Sequence, residues 1–462
     1  MEEEIREEQL IEELEELLKE KKYGLVRNML VDINPADIAI LFGDLPEDEL
    51  PLLFRLLPKE LATETFVEMD PDEQEILISA FSDRELSEVI NELYVDDAVD
   101  LVEEMPAVVV KRILKHADPE MRKSINELLK YPKDSAGSIM TTEYVDLKKH
   151  MTVAQSFDRI RRIGVDKETI YTCYVTDASR RLIGILSVKE LLLADSSAAI
   201  EDIMETNIIY VNTLDDKENV ARMFDKYDFL AIPVVDAEER LVGIVTVDDA
   251  IDVIQEENTE DIAKMAAIMP SEESYLKTPA TVHAKNRITW LLFLMLSATI
   301  TGSIIQYYED AFISIPILVA FVPMLMGTGG NCGSQSSTMV IRGLALDEIK
   351  FKDFFKVLFK ECKVSMLTGT ALAIVNAIRV FIMYHNNQDV LEQISVSKLA
   401  LVSGLSLIGT VLLAKCLGCI LPMLAKKVKI DPALMAAPLL STILDTCSVL
   451  IFFNISTWIL GL

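Results

Sequence analysis

The sequence predicts a multidomain membrane protein: an α-helical superhelical N-domain, a tandem pair of α/β units, a connecting helix and a five-helix transmembrane domain. Three observations predict it. Short helical phrases recur about every 12 residues between about residues 34 and 131, a strand-turn-strand-helix segment is repeated at an offset of 59 residues, and five apolar runs fill the chain after residue 285.

Charge divides the 462 residues in two. From residue 271 onward there are 15 basic and 12 acidic residues, whereas the first 270 hold 29 basic and 62 acidic ones, a formal charge of −33. That surface argues against nucleic acid, which needs a basic face, and makes cations the natural partners. The chain opens on "MEEEIREEQLIEELEELLKEKK", an acidic helical pattern with no apolar stretch of a cleavable signal, so the N-terminus is expected in the cytosol. Six cysteines without paired spacing read as reduced thiols, and the Cys416/Cys419 pair inside "LLAKCLGCILPML" reads as small packing residues of a membrane helix.

Residues 1–131 form the expected acidic helical-repeat N-domain. Phrases such as "PDEQEILISAF", "DRELSEVINEL" and "VDDAVDLVEEM" each open on a capping residue and then place apolar residues at helical spacing, as stacked short helices require. Residues 132–258 carry the duplication: "CYVTDASRRLIGILSVKELL" is echoed by "IPVVDAEERLVGIVTVDDAI", with Asp177 matched to Asp236 and Gly184 to Gly243. The pair resembles tandem CBS domains. That resemblance implies an adenine nucleotide held by a Ser/Thr-x-x-Asp turn; Thr246 and Asp249 fit it, whereas the first copy has Ser187 and Glu190. Residues 259–284 are the expected connecting helix and linker.

The transmembrane domain is expected over residues 285–462. Ile288 to Tyr308 is free of charge and long enough for one crossing, and further spans are expected at Ala311 to Ile341, Val364 to Tyr384, Leu399 to Ala425 and Pro432 to Leu462. Arg342, Lys350, Lys352, Lys356, Lys360 and Lys363 follow span two, and Lys426, Lys427 and Lys429 follow span four, whereas the loops after spans one and three hold a single lysine. The positive-inside rule then gives a multi-pass protein of the cell membrane, N-terminus cytosolic and C-terminus outside, in contact with lipid.

Two features inside these spans ask for chemistry. Asp445 lies 14 residues after Asp431, which with Pro432 can open the last helix; at 1.5 Å per residue that is ~21 Å along the axis, inside a ~30 Å hydrocarbon core where a short carboxylate cannot snorkel. Arg379 and Lys415 have long stems and are expected to snorkel or pair between helices. The stretch "GTGGNCGSQ" is expected to be non-helical backbone lining a watery interior, with Gly329, Gly330, Asn331 and the following amides and hydroxyls bonding the water of a passing ion. Magnesium suits such a path, because it sheds water reluctantly and is held through its hydration shell.

Together, P-x-x-x-x-x-G-G-N-x-G-x-Q in span two (Pro323 to Gln335), the Asp-Pro-Ala opening and internal Asp of span five, the CBS-like pair and the helical N-domain resemble the MgtE family of magnesium channels. The resemblance implies a homodimer with spans two and five lining the pore, Asp445 of both subunits holding hydrated magnesium beside Gly329, Gly330 and Asn331. It also implies closure by cytosolic magnesium bound at Asp216, Glu218, Asp228, Asp249 and Asp252 of the second CBS-like copy, at Glu257, Glu260 and Asp261 of the connector, and at Asp431. In the N-domain "YVDDAVDL" offers Asp96, Asp97 and Asp100. No enzyme is expected: a membrane protease would need a His-Glu-x-x-His, and the four histidines have no metal-pair spacing. A receptor that senses magnesium or nucleotide without transport would leave Asp445 and the glycine-rich stretch without a task.

Overall fold

The computed structural model describes residues 2–271, 275–276, 278–435 and 437–461. Its contacts divide the chain into two compact units, 1–254 and 255–462.

In the first unit, the helical part among the described residues runs α1 (Glu2–Lys19), α2 (Tyr23–Leu30), α3 (Pro35–Gly43), α4 (Leu50–Phe54), α5 (Lys59–Val67), α6 (Pro71–Ala80), α7 (Asp83–Ile90), α8 (Val95–Glu104), α9 (Ala107–His116) and α10 (Pro119–Leu128). From α6 to α10 each helix starts 12 residues after the previous one. The starts have local causes: Asn34 caps α3 through Ala36 N at 3.1 Å, Pro occupies the first turn of α3, α6 and α10, and Ser82 and Glu85 form a capping box on α7. Helices of eight to ten residues are unstable in isolation, so each must bury a stripe such as Leu86/Ile90 or Ile113 against its neighbours.

The duplicated part gives two three-stranded sheets of the same topology. β1 (Val145–Lys148) pairs parallel with β2 (Thr172–Thr176), which pairs antiparallel with β3 (Leu182–Ser187); α11 (Val153–Ile163) lies between β1 and β2, and α12 (Val188–Leu193) and α13 (Ile200–Ile203) follow. β4 (Val211–Asn212), α14 (Lys217–Tyr227), β5 (Ala231–Val235) and β6 (Leu241–Thr246) repeat it, with the 59-residue offset preserved in the last two strands of each copy. Tyr174, Ala231, Leu241 and Ile244 pack the two copies together. A larger core runs from Leu14 of α1 through the helical repeats to Phe224, Val245 and Val253, so the helical part and the second copy share one apolar interior. α15 (Val247–Met265) continues the second copy without a break at residues 258–259, so the last helix of the repeat and the connecting helix are one element.

Five helices of the second unit are long and apolar enough to cross a membrane: Ala280–Tyr307, Pro316–Ala345, Phe351–Tyr384, Val396–Lys427 and Pro432–Leu460. They comprise α16 (Ala280–Tyr307), the short α17 (Glu309–Ser314), α18 (Val322–Ala345) after a 3₁₀ turn at Pro316–Phe321, α19 (Phe354–Tyr384), the short α20 (Gln388–Leu391), α21 (Val396–Lys427) and α22 (Ala437–Leu460) after a 3₁₀ turn at Pro432–Met435. α16 and α19 begin eight and ten residues before the apolar runs that flagged them, because hydropathy marks where charge stops and not where backbone hydrogen bonding starts.

One expectation is overturned. "GTGGNCGSQ" is not a loop: α18 is helical from Val322 to Ala345. Its glycines serve close packing instead. A Cβ on Gly329 would stand 2.8 Å from Ser448 Oγ and 3.0 Å from Thr410 Cγ2, and one on Gly418 of α21 would stand 2.5 Å from the carbonyl oxygen of Gly333. Tertiary contact of this kind outweighs glycine's helix cost of about 1 kcal/mol per residue. Since the atom facing Gly418 is backbone and cannot step aside, Gly418→Val is expected to destabilise the membrane unit by ~1–3 kcal/mol, measured as earlier loss of the monodisperse peak on heating in detergent; Gly302→Val, where a Cβ meets nothing within 4 Å, serves as the silent control.

Candidate functional site

The chemistry-bearing groups fall into a carboxylate cluster in the first unit, a short ion-pair chain at the end of α15, and a polar face in the membrane helices.

The cluster arises where two helices start. Asp96 and Asp97 occupy the first turn of α8, and Asp248 and Asp249 that of α15, positions a helix N-terminus favours for anions. The shared core then brings the two starts together. Asp96 is 6% exposed. Burial, then the nearby Asp249, Asp97 and Glu168 carboxylates, push Asp96 well above the ordinary range. Burial, then Asp249 and Asp248, push Asp97 up to about 7, and Glu168, buried and facing Asp97, Asp248 and Asp249, is pushed up to about 8. Asp249 rises to about 7 through burial, with the Thr246 hydroxyl opposing the shift and Asp248 and Asp100 adding to it. Glu168 Oε2 is buried without a hydrogen-bond partner. Asp96, Asp97 and Asp100 of α8 therefore all act on the start of α15. Glu168 and Asp248 had no signal in the sequence, since they join the cluster only through the fold.

The remaining family-implied acids of the second copy have local bonds. Asp216 caps α14 through Asn219 N at 3.1 Å, Glu218 pairs with Arg222, and Asp228 ends α14 in the left-handed conformation at φ 55°. The nucleotide turns are both built as helix caps: Asp249 accepts from the Thr246 hydroxyl, and Glu190 Oε2 accepts from Ser187 Oγ at 2.8 Å and Ser187 N at 2.7 Å. Asp252 lies one turn beyond Asp249 on α15.

Further along α15, Glu257, Glu260 and Asp261 precede Lys264, whose Nζ lies 2.7 Å from both Glu260 Oε1 and Asp431 Oδ2. Asp431 Oδ1 accepts from Ala433 N at 2.8 Å and so caps the 3₁₀ turn that opens the last span.

Within the membrane helices Asp445 is half-buried on α22. Ser441 and Ser448, four residues before it and three after it, share its face, and they meet Gly330 and Gly329 of α18 respectively. Asp445 thereby lies between these two contacts along α22. Gly327, Asn331, Gln335 and Thr338, spaced four, four and three residues apart, form an exposed polar stripe on the outward side of α18. Lys415 is 5% exposed and does not snorkel: its Nζ donates to Ser336 Oγ at 3.4 Å, and Ser336 donates to Glu361 at 2.6 Å, joining α21, α18 and α19. Arg379 donates to Asn376 Oδ1 at 3.0 Å and lies 5.5 Å from the centre of the Phe321 ring.

Among the described residues, no three carboxylate, imidazole or thiol groups converge closely enough to hold a bare metal ion. Separated carboxylates and neutral oxygens suit a cation that keeps its water shell.

The cluster makes a pH prediction. A carboxyl whose folded pKa lies above its unfolded value of about 4 binds its proton more tightly when folded, so its contribution is complete below pH ~4 and is lost as pH rises through 7 to 8. In divalent-free detergent solution the first unit is expected to melt progressively lower between about pH 5.5 and 8.5, at roughly 2–4 °C per kcal/mol lost. Asp97→Asn combined with Asp249→Asn should flatten the slope, as followed by circular dichroism.

Known proteins share this organisation. The family model described as "Divalent cation transporter" matches residues 322–455, that of the MgtE intracellular N domain residues 33–134, and that of the CBS domain residues 136–197 and 200–256. The magnesium transporter MgtE of Thermus thermophilus is 36% identical over 98% of this chain and 99% of its own, and that of Bacillus subtilis 34% identical over 96% and 95%. The crystal structure of the cytosolic domain of the Mg2+ channel MgtE in complex with ATP has 38% identity and a TM-score of 0.50, covering 52% of this chain and 98% of that one. The soluble part of a magnesium transporter gives 31% and 0.51, covering 54% and 99%. Relatives so similar over nearly the full length make this chain a member of the MgtE family, whose members are transporters and not enzymes.

Proposed function

We propose that the chain is a magnesium-selective channel of the cell membrane, a homodimer whose pore is lined by α18 and α22 and which cytosolic magnesium holds closed. The observation that carries the pore is the stripe Gly327, Asn331, Gln335 and Thr338 lying exposed on one side of α18, together with the half-buried carboxylate of Asp445 on α22. Facing lipid, such a stripe and carboxylate would cost several kcal/mol. Facing a second copy across a water-filled axis, they can bond the water shell of an ion, with Gly329, Gly330 and Asn331 keeping the helix slim and polar there.

Closure is assigned to the acids. Without divalent ions, Asp96, Asp97, Asp100, Asp249 and Glu168 repel one another, and magnesium removes the repulsion and favours the packed state. Asp216, Glu218, Asp228 and Asp252, the connector acids Glu257, Glu260 and Asp261, and Asp431 act in the same sense, and several weak sites sharpen the response. The N-terminus is cytosolic and the C-terminus outside. An adenine nucleotide at the CBS pair is supported by the ATP complex of the related cytosolic domain and by the Thr246/Asp249 turn.

Magnesium entry into proteoliposomes tests the pore. The wild-type chain is expected to conduct at low magnesium on the cytosolic side, and Asp445→Ala to lower the rate at least about tenfold, equivalent to ~1.4 kcal/mol. Equal rates would remove Asp445 from the path, and no flux from either would favour a non-transporting sensor.

A further inference from the structure

The connector ends on a lysine held between two carboxylates. Lys264 Nζ lies 2.7 Å from Glu260 Oε1, one turn back on α15, and 2.7 Å from Asp431 Oδ2, at the threshold of the last span. The group is largely covered, its side chain 22% exposed. The remaining oxygen of Asp431 is committed to Ala433 N, so the cation-facing valence of Asp431 is Oδ2. The chain is pinned just beyond: Ala267 turns left-handed at φ 56°, and Met269 N donates to Asn286 O of α16 at 3.0 Å, which leaves the end of α15 little freedom to swing away.

An ammonium is a compact point charge with three donors, able to neutralise two carboxylates that would otherwise repel. Such a pair is also what a hydrated magnesium ion would bridge. We propose that Lys264 is the built-in cation of the Glu260/Asp431 site, fastening the end of α15 to the membrane unit when magnesium is absent, and that magnesium acts at this site by displacing it. The proposal rests on the reading of Glu260 and Asp431 as magnesium-sensing. It follows that this contact is never simply present or absent: one cation is exchanged for another, and the lysine sets how much magnesium is needed to take over. A singly charged group on a flexible four-carbon stem is a weak enough occupant to be exchanged, where an arginine fork would hold more firmly.

Pulse acetylation of the purified full chain in detergent, read by mass spectrometry, tests the exchange, with hydrogen exchange of residues 255–271 run in parallel. In chelator, Lys264 is expected to react about tenfold slower than exposed Lys149, and Asp431→Asn to abolish that protection. Magnesium should raise Lys264 labelling several-fold while the backbone of α15 stays protected. In chelator Lys264→Met should speed exchange at the end of α15 about tenfold, magnesium should restore it, and Lys264→Arg should keep the protection while requiring more magnesium. Lys264 reacting as fast as Lys149 in chelator overturns the proposal. So does magnesium slowing or leaving unchanged the labelling while tightening exchange, an outcome that leaves the sensing role of the acids standing. Magnesium altering neither signal would overturn both, because the site would then not take the ion.

Discussion

Carboxylates gathered by an apolar core are the constraint on which the first unit of this protein depends. Asp96, Asp97, Asp249 and Glu168 are held near one another by an apolar core that runs from the helical repeats into the second CBS copy. Hydrophobic burial supplies the attraction and electrostatics opposes it at the same place. A balance of that kind can be tipped by a proton or a divalent ion, whereas a core with neutral residues there would be packed under all conditions. The conflict is local, since both helix starts favour acids and only their convergence is unfavourable.

The membrane half resolves its conflicts differently. Lys415 is not sent to the headgroups but bonded through Ser336 to Glu361, so the charges stay inside the bundle and tie three helices. The glycines of α18 and α21 let backbones touch, and the exposed polar residues of α18 are gathered on one outward stripe. Close packing and exposed polar groups thus occupy different faces of the same helix.

Much of this was legible in the sequence where the signal is periodic: the 12-residue helical starts, the 59-residue offset of the strands and the five apolar helices. Asp445 stood out because a carboxylate in an apolar run has few explanations. The glycine-rich stretch misled, since local propensity argued for a loop and interhelical contact with Ser448, Thr410 and Gly418 decided for a helix. Glu168 was invisible because its neighbours are distant in sequence, and the unbroken run of α15 from Val247 to Met265 has no capping signal that would mark where it crosses residue 258.

The carbonyl of Gly333 on α18 faces the bare Cα of Gly418 on α21, so near that a Cβ there would stand 2.5 Å from it. Two backbones in register at that distance interlock: neither can slide along the other by a fraction of a turn without driving a carbonyl into a Cα, and a full turn would carry Lys415 away from Ser336. The two helices must therefore translate and rotate as one body. Any shift of α18 therefore carries α21 with it, and the two helices form one stiff wall of the membrane unit.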